Sequence, residues 1–267
     1  DPCSGYPEAA LIGWASIEGA SEHLSRYIFA SKFAKGMVLD CASGSCYGSS
    51  IIRRKAYVKL VISMDMADDL LRYGHIIFNA DCVCADACAP PFRSSIFDVI
   101  ICLETIEHVR DPLKMLISFK TLLKDEGKII LSTPNKMYSS PFRPKPSNPY
   151  HYKEYYLGEL LEILKQNGFK VIMIYGGVRV SLWDLLICIL KSIIGFLARE
   201  MLRKLGLDIH HRCLAHLYQL FFANRFFSKK KVANIDPTPH TIMHEKLRTN
   251  TNLLPYRYFI VIASKAK

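Results

Sequence analysis

Glu104, Glu107 and His108 are spaced so that their side chains could act together. On a helix, positions i, i+3 and i+4 share a face, so two carboxylates and an imidazole would converge. Such a set could hold a hard divalent cation, Mg or Mn, and lower the pKa of a hydroxyl bound to it. The same residues could work without a metal, with His108 as a general base or as a hydrogen-bonding group at a helix end. A second stretch with chemical content is residues 37–49, MVLDCASGSCYGS. There an apolar run ends in Asp40, and a turn of small residues leads into a helix. That order lets backbone N–H groups approach a nucleotide-like ligand. Asp65 closes the next apolar run and could accept both hydroxyls of a ribose, or cap the helix that follows.

The elements that must position these residues alternate between short apolar runs and helical stretches, which is the pattern of an α/β fold. A helix is expected over 16–35, with Leu24, Ile28 and Phe29 on one side. Strands are expected at 37–40, 60–64, 82–84, 96–103, 128–132, 169–175 and 256–264. The fourth, FDVIICL, is apolar enough to be an interior parallel strand. Helices are expected at 49–55, 67–73, from Pro112 to 123 with proline at its first position, and at 153–167, stopped by Gly168. Residues 133–150 carry Pro134, Pro141, Pro144, Pro146 and Pro149, so a structured loop is expected there, without regular helix or central strand.

Between the last two strands lie about 80 residues, long enough to form a substructure of their own. Residues 181–207 have helical periodicity, with a narrow polar stripe of Asp184, Lys191, Ser192, Arg199 and Arg203 and a wide apolar face. Such a helix could lie in a membrane interface or pack against the domain or a partner chain. Residues 215–231 add aromatics followed by three lysines, suited to a headgroup boundary or to nucleic acid. Formal net charge is +11, and residues 179–231, with ten Lys/Arg against three Asp/Glu, carry +7 of it. An anionic partner for that segment follows.

The nine cysteines include no CxxC pair and read as reduced, mostly buried thiols of a cytoplasmic protein. Cys82, Cys84 and Cys88 are poorly spaced for tetrahedral zinc. The segment DPCSGYPEAA has neither the basic start nor the apolar run of a secretory leader. No stretch is long and apolar enough to be expected to span a membrane.

Taken in order, VLDCASGSCYGS, ISMDMADDLLRYG, CADACAPPF, FDVIICLETIEHVRDPLKML and LKDEGKIILSTPN resemble the successive motifs of the class I S-adenosylmethionine-dependent methyltransferases. The chain is most similar to ubiquinone O-methyltransferase-like and glycan-pathway methyltransferases, the latter through RYIFASKF and NPYHYKEYYLGEL. The resemblance implies a Rossmann-like α/β fold with a seven-stranded, mostly parallel sheet and helices on both faces. Residues 1–177 and 254–267 would form that domain, and 178–253 a helical, amphipathic, basic insertion before the last strand.

The resemblance also implies S-adenosylmethionine as cofactor. It would be held by Asp40, Ala42, Gly44, Asp65, Met66, Asp86, Ala87 and Leu103, with Asp86 placed to accept the adenine amino group. Asp40 would orient the loop or the cofactor's ammonium, unless it is a structural carboxylate. The family usually has glycine where this chain has Cys46, and often where it has Ala42, a departure that puts side chains where positive φ or close approach is needed. ExxEH resembles a metal-binding motif of ubiquinone and small-RNA 2′-O-methyltransferases. In the latter a further histidine, matching His151, completes a Glu104, Glu107, His108, His151 site. Glu107 and His108 would be catalytic, and Tyr150, Tyr152, Tyr155 and Tyr156 could line an acceptor pocket. The expected activity is O-methylation of a hydroxyl on a glycan or lipid-linked acceptor, at the cytoplasmic face of a membrane. A polyprenyl-quinone acceptor, an RNA 2′-O acceptor, and an inactive membrane-bound adaptor with this fold are the alternatives.

Overall fold

A computed structural model describes residues 17–181, scattered positions within 183–204, residues 244–247 and residues 256–266. Its centre is an eight-stranded sheet in the order β3-β2-β1-β4-β5-β8-β6-β7. The strands are β1 (Gly36–Cys41), β2 (Val58–Asp65), β3 (Asp81–Cys84), β4 (Phe97–Leu103), β5 (Leu123–Pro134), β6 (Phe169–Arg179), β7 (His244–Leu247) and β8 (Tyr256–Lys265). Strands β1 to β5 pair in parallel, whereas β8 runs antiparallel to both β5 and β6. The helices are α1 (Ile17–Ala30), α2 (Tyr47–Arg53), α3 (Asp68–Phe78), α4 (Pro112–Leu122), α5 (Lys136–Ser139) and α6 (Leu157–Gln166).

Two cores, one on each face of the sheet, follow from the two-residue period of the strands. Leu39, Ile100 and Leu131 point to the face covered by α4 and α6, through Met115, Leu116, Phe119, Leu160 and Leu164. Val38, Val99, Ile101 and Ile130 point to the other, covered by α1 and α2 through Tyr27, Ala30 and Ile52. Burial on both faces is why β1 and β4 are nearly continuous apolar runs. Each fully buried Leu, Ile or Phe among these contributes roughly 1.5–3 kcal/mol. Helix α4 starts where Asp111 Oδ1 accepts the Lys114 N–H at 3.0 Å and Pro112 occupies the first turn.

Four expectations need correction. Among the described residues the sheet has eight strands, because His244–Leu247, within the segment expected to be a helical insertion, pairs antiparallel with β6. β5 begins at Leu123, which is fully buried and pairs with Phe97 before a register shift. The proline-rich stretch contains the short helix α5, capped by Asn135, whose Oδ1 accepts the Met137 N–H at 3.0 Å. Helix α6 starts at Leu157 because the preceding residues are drawn back along the sheet by a bridge between Asn135 and Tyr155. Residues 215–231 lie outside the described residues, as does most of the insertion. Among the described residues no helix is long and apolar enough to cross a membrane.

Gly48, in the first turn of α2, packs under the Tyr27 ring, and a Cβ there would overlap that ring. Tyr27 is 2% exposed and cannot swing aside without opening the core. Gly48→Ala should therefore lower stability by about 1–3 kcal/mol in denaturant unfolding. A midpoint equal to that of the wild type would show that the α1–α2 contact is loose.

Candidate active site

The carboxyl ends of the parallel strands gather the predicted residues along one edge. The loop after β1 takes positive φ at Ala42 (56°), Gly44 (52°) and Cys46 (63°). Only the middle one is glycine, so side chains at the other two must have somewhere to go. Cys46 is fully buried, with its Sγ 3.7 Å from Cys82 Sγ and 3.6 Å from the Gly44 carbonyl oxygen. Gly74 of α3 leaves the space it fills, since a Cβ at Gly74 would overlap the Cys46 side chain. The cysteine thus packs under the loop against α3, away from the open edge. Burial raises the pKa of its thiol, and pushes that of Cys82 up to about 12, so both stay protonated at neutral pH.

Asp65 fixes the loop from the next strand. Its Oδ2 accepts the Gly44 N–H at 2.8 Å and its Oδ1 accepts the Ala67 N–H at 2.9 Å. Each oxygen retains a second lone pair for a ligand hydroxyl. Met66, beside it, is 57% exposed on the same edge. After β3, Asp86 is exposed, and its Oδ1 accepts the Cys88 N–H at 2.8 Å, which orders the turn that carries Ala87. Leu103 closes β4 and is buried at 3% exposure. These positive-φ backbone positions, the Asp65 carboxylate and the exposed Asp86 fit a nucleoside-bearing methyl donor.

Asp40 lies below this surface. It is fully buried, with Oδ1 accepting from the Tyr27 hydroxyl at 3.1 Å and Oδ2 from Ser49 at 2.6 Å. The structural-carboxylate reading is the one its position supports: it ties α1 and α2 beneath the loop. Burial pushes its pKa up to about 7, against the lowering effect of those two hydrogen bonds.

The ExxEH segment departs from a shared helix face. Ile106–His108 form a single 3-10 turn, and Glu104, just before it, has φ 51°. Glu104 consequently turns away: its Oε1 accepts from Ser132 at 2.7 Å and its Oε2 lies 3.5 Å from Arg26. Glu107, His108 and His151 do come together, with one potential ligand atom from each within 4.8 Å of the others. The metal set expected from the sequence is therefore corrected to these three, without Glu104.

Two backbone contacts bring His151 there. The Glu107 carbonyl accepts the Tyr152 N–H at 2.7 Å, and His108 Nδ1–H donates to the Tyr150 carbonyl at 3.0 Å. The two imidazoles are perpendicular, 4.6 Å apart. His151 Nδ1–H donates to Glu154 at 2.7 Å, and its Nε2 accepts from the Asn148 amide at 2.9 Å. Glu154, itself buried, also accepts from Ser139 and Ser140. Burial and the neighbouring His151 lower the His108 pKa, so its ring is neutral near pH 7. Glu107 is fully buried; Oε2 accepts from Thr133 at 2.8 Å, and Oε1 has no hydrogen-bond partner among the described residues. Burial, then the charge of Glu104, raises the Glu107 pKa well above the usual carboxylate range. An orphaned, buried carboxylate oxygen beside two imidazoles fits either a proton or a cation. Tyr150 and Tyr152 are exposed at this rim, whereas Tyr155 belongs to the core.

Several supporting residues escaped the reading of the sequence. Arg26 is 6% exposed, its guanidinium 3.7 Å from the Tyr258 ring centroid and within reach of Glu22 and Glu104. The i,i+4 spacing of Glu22 and Arg26 was the only local signal for it. Asn148 and Glu154 gave none, since their contact with His151 depends on how the proline-rich loop folds.

Known proteins share the family and the fold of this chain. A family profile described as "Methyltransferase domain" matches residues 17–174. A Mycolicibacterium smegmatis protein named "Probable S-adenosylmethionine-dependent methyltransferase" is 28% identical over 183 residues, 64% of this chain and 70% of that protein. A ubiquinone biosynthesis O-methyltransferase of Haemophilus ducreyi is 52% identical over 40 residues, 15% of this chain and 17% of its own length. A crystal structure of an S-adenosylmethionine-dependent methyltransferase from Archaeoglobus fulgidus superposes with a TM-score of 0.56 at 17% identity, covering 97% of both chains. The chain belongs to the methyltransferase domain family. Within it, the chain is a class I enzyme that uses S-adenosylmethionine as methyl donor.

Two predictions follow from the loop. Asp40 has a folded-state pKa raised above its unfolded value, so its favourable contribution is complete at low pH and is lost as pH rises through about 7. Asp40→Asn keeps an acceptor but removes the charge. Its melting temperature should gain on the wild type as pH rises from about 5 to 8, and parallel curves would refute the assignment. Cys46→Ala should melt lower, because the thiol fills space beside Gly74, yet bind S-adenosylmethionine within about threefold of the wild type, under 1 kcal/mol. A large gain in affinity would place the thiol in the ligand's path.

Proposed function

We propose that this enzyme methylates a hydroxyl of a glycan or lipid-linked small-molecule acceptor. One observation supports the reading most strongly: Glu107, His108 and His151 meet at the carboxyl edge, beside the strand that supplies the cofactor loop. His108 donates through Nδ1 to the Tyr150 carbonyl, so in the neutral ring Nε2 is the acceptor nitrogen. A neutral imidazole of lowered pKa is suited to take the proton of a hydroxyl as the oxygen attacks the methyl carbon in line with its sulfonium leaving group. His108 and His151 supply the acceptor side, while Asp65 and the β1 loop hold the donor side. The work of the enzyme is then mostly to fix the two reactants in line.

The same three side chains would hold a divalent ion, Glu107 through Oε1 and the histidines through Nε2, with Asn148 displaced. One carboxylate and two imidazoles suit Mn better than Mg. Such an ion would supply Lewis acidity toward an acceptor's hydroxyls. A polyprenyl-quinone acceptor draws support from the short, strong match to the ubiquinone biosynthesis O-methyltransferase.

His108→Ala should lower turnover by about 10²–10⁴-fold while leaving donor affinity near that of the wild type, measured with labelled donor against glycan, lipid and RNA fractions. Activity confined to the RNA fraction would overturn the acceptor class. For the metal, calorimetry with Mn should show one site that Glu107→Gln removes. Equal heats from both proteins would exclude it.

A further inference from the structure

Residues 183–204 follow β6 directly, and their described positions are helical. The start is capped: Ser181 Oγ accepts the Asp184 N–H at 3.1 Å and donates to Asp184 Oδ2 at 2.7 Å. From there Trp183, Leu186, Leu190, Ile194, Leu197 and Met201 are between 43% and 75% exposed. At 3.6 residues per turn they form one stripe about 80° wide. Scattered apolar residues on a surface need no explanation, but a continuous stripe of six does. The cations supply the second half of the pattern, since residues 179–231 carry a net charge of +7.

The topology puts a second surface of the same character beside it. β5 and β6 both run antiparallel to β8, so both end at the same edge of the sheet, two strand spacings or about 10 Å apart. β5 leads into the loop that delivers His151, and β6 leads into the exposed helix. That loop presents Phe142 at 66%, Tyr150 at 46% and Tyr152 at 54% exposure. Residues 135–156 also hold Lys136, Arg143, Lys145 and Lys153 against Glu154, a net charge of +3. Aromatic side chains among cations suit the headgroup level of a bilayer, and an apolar helical stripe within a segment of net positive charge suits the boundary below it.

We propose that the helix beginning at Trp183 and the aromatic rim at Phe142, Tyr150 and Tyr152 form one docking face for an anionic lipid bilayer. The charge complementarity selects lipid of negative headgroup, and the shared edge turns the mouth of the Glu107–His108–His151 cluster toward the membrane. Docking stands independently of the acceptor. Its consequence, that the acceptor hydroxyl arrives from the lipid phase, rests on the O-methylation reading.

The test uses the full chain with vesicles of phosphatidylcholine alone or mixed with phosphatidylglycerol, without donor or acceptor. The wild type should sediment with the mixed vesicles and about tenfold less with phosphatidylcholine alone. Leu190→Ser with Leu197→Ser should weaken that binding about tenfold or more, and Phe142→Ser should weaken it by a smaller factor. Trp183, the sole tryptophan left in a Trp14→Phe protein, should shift to the blue and be quenched by brominated lipid. S-adenosylmethionine binding by each variant confirms the fold. Failure of the wild type to bind, unchanged binding by the variants, or an unquenched Trp183 would each overturn the proposal. So would a dimer in sedimentation equilibrium that the Leu variants break while vesicles remain unbound, because a second copy would then occupy the face. None of these results bears on whether His108 acts in methyl transfer.

Discussion

The Asp65 carboxylate is the contact on which the loop after β1 and the start of α3 depend. By accepting the Gly44 N–H it joins the end of β2 to a loop whose backbone takes three positive φ values within five residues. Such a loop has little regular hydrogen bonding of its own, and hydrogen bonds to a charged acceptor are among the stronger ones available, at about 1.5–3 kcal/mol each. The same carboxylate accepts from Ala67 and sets the entry to α3. Helix α3 supplies Gly74, and Gly74 makes room for the Cys46 side chain. One acid thus aligns the loop, the helix and the cysteine that would otherwise obstruct it.

Beneath this level the fold uses a second buried acid for a different purpose. Asp40 has no solvent contact and takes its hydrogen bonds from Tyr27 and Ser49, so it joins the two helices that cover one face of the sheet. Glu107 is another buried acid, and among the described acids it is the one whose buried oxygen has no hydrogen-bond partner. Asp65, Asp40 and Glu154 all accept hydrogen bonds within the protein, whereas one Glu107 oxygen accepts none among the described residues. The unsatisfied one sits next to two histidines, the cluster on which the proposed function rests.

Much of this arrangement was legible in the sequence. Doubly buried parallel strands are written as unbroken apolar runs, so β1 and β4 could be placed nearly to the residue, and with β1 came Asp40 and the loop that follows it. Contacts made by loop geometry were not legible. The 3-10 turn at Ile106–His108 breaks the helical spacing that would have joined Glu104 to Glu107, and nothing in ETIEH marks the positive φ at Glu104. The family pattern suggested His151, yet its partners Asn148 and Glu154 depend on a proline-rich loop that no periodicity describes. Cys46 looked discordant because a sequence shows the missing glycine but not Gly74, which accommodates the cysteine from 28 residues downstream. The short strand β7 lacks any pattern long enough to separate it from the insertion around it.

The central claim is that this edge, with Cys46 in its loop and Asp65 as its anchor, binds S-adenosylmethionine. Calorimetric titration of the wild-type chain and of Asp65→Ala with that donor tests it most directly. The account predicts saturable one-to-one binding by the wild type and a loss of about ten- to a hundredfold on removal of the carboxylate. A wild type that takes up no donor, or an alanine variant that binds it as tightly as the wild type, would contradict the account.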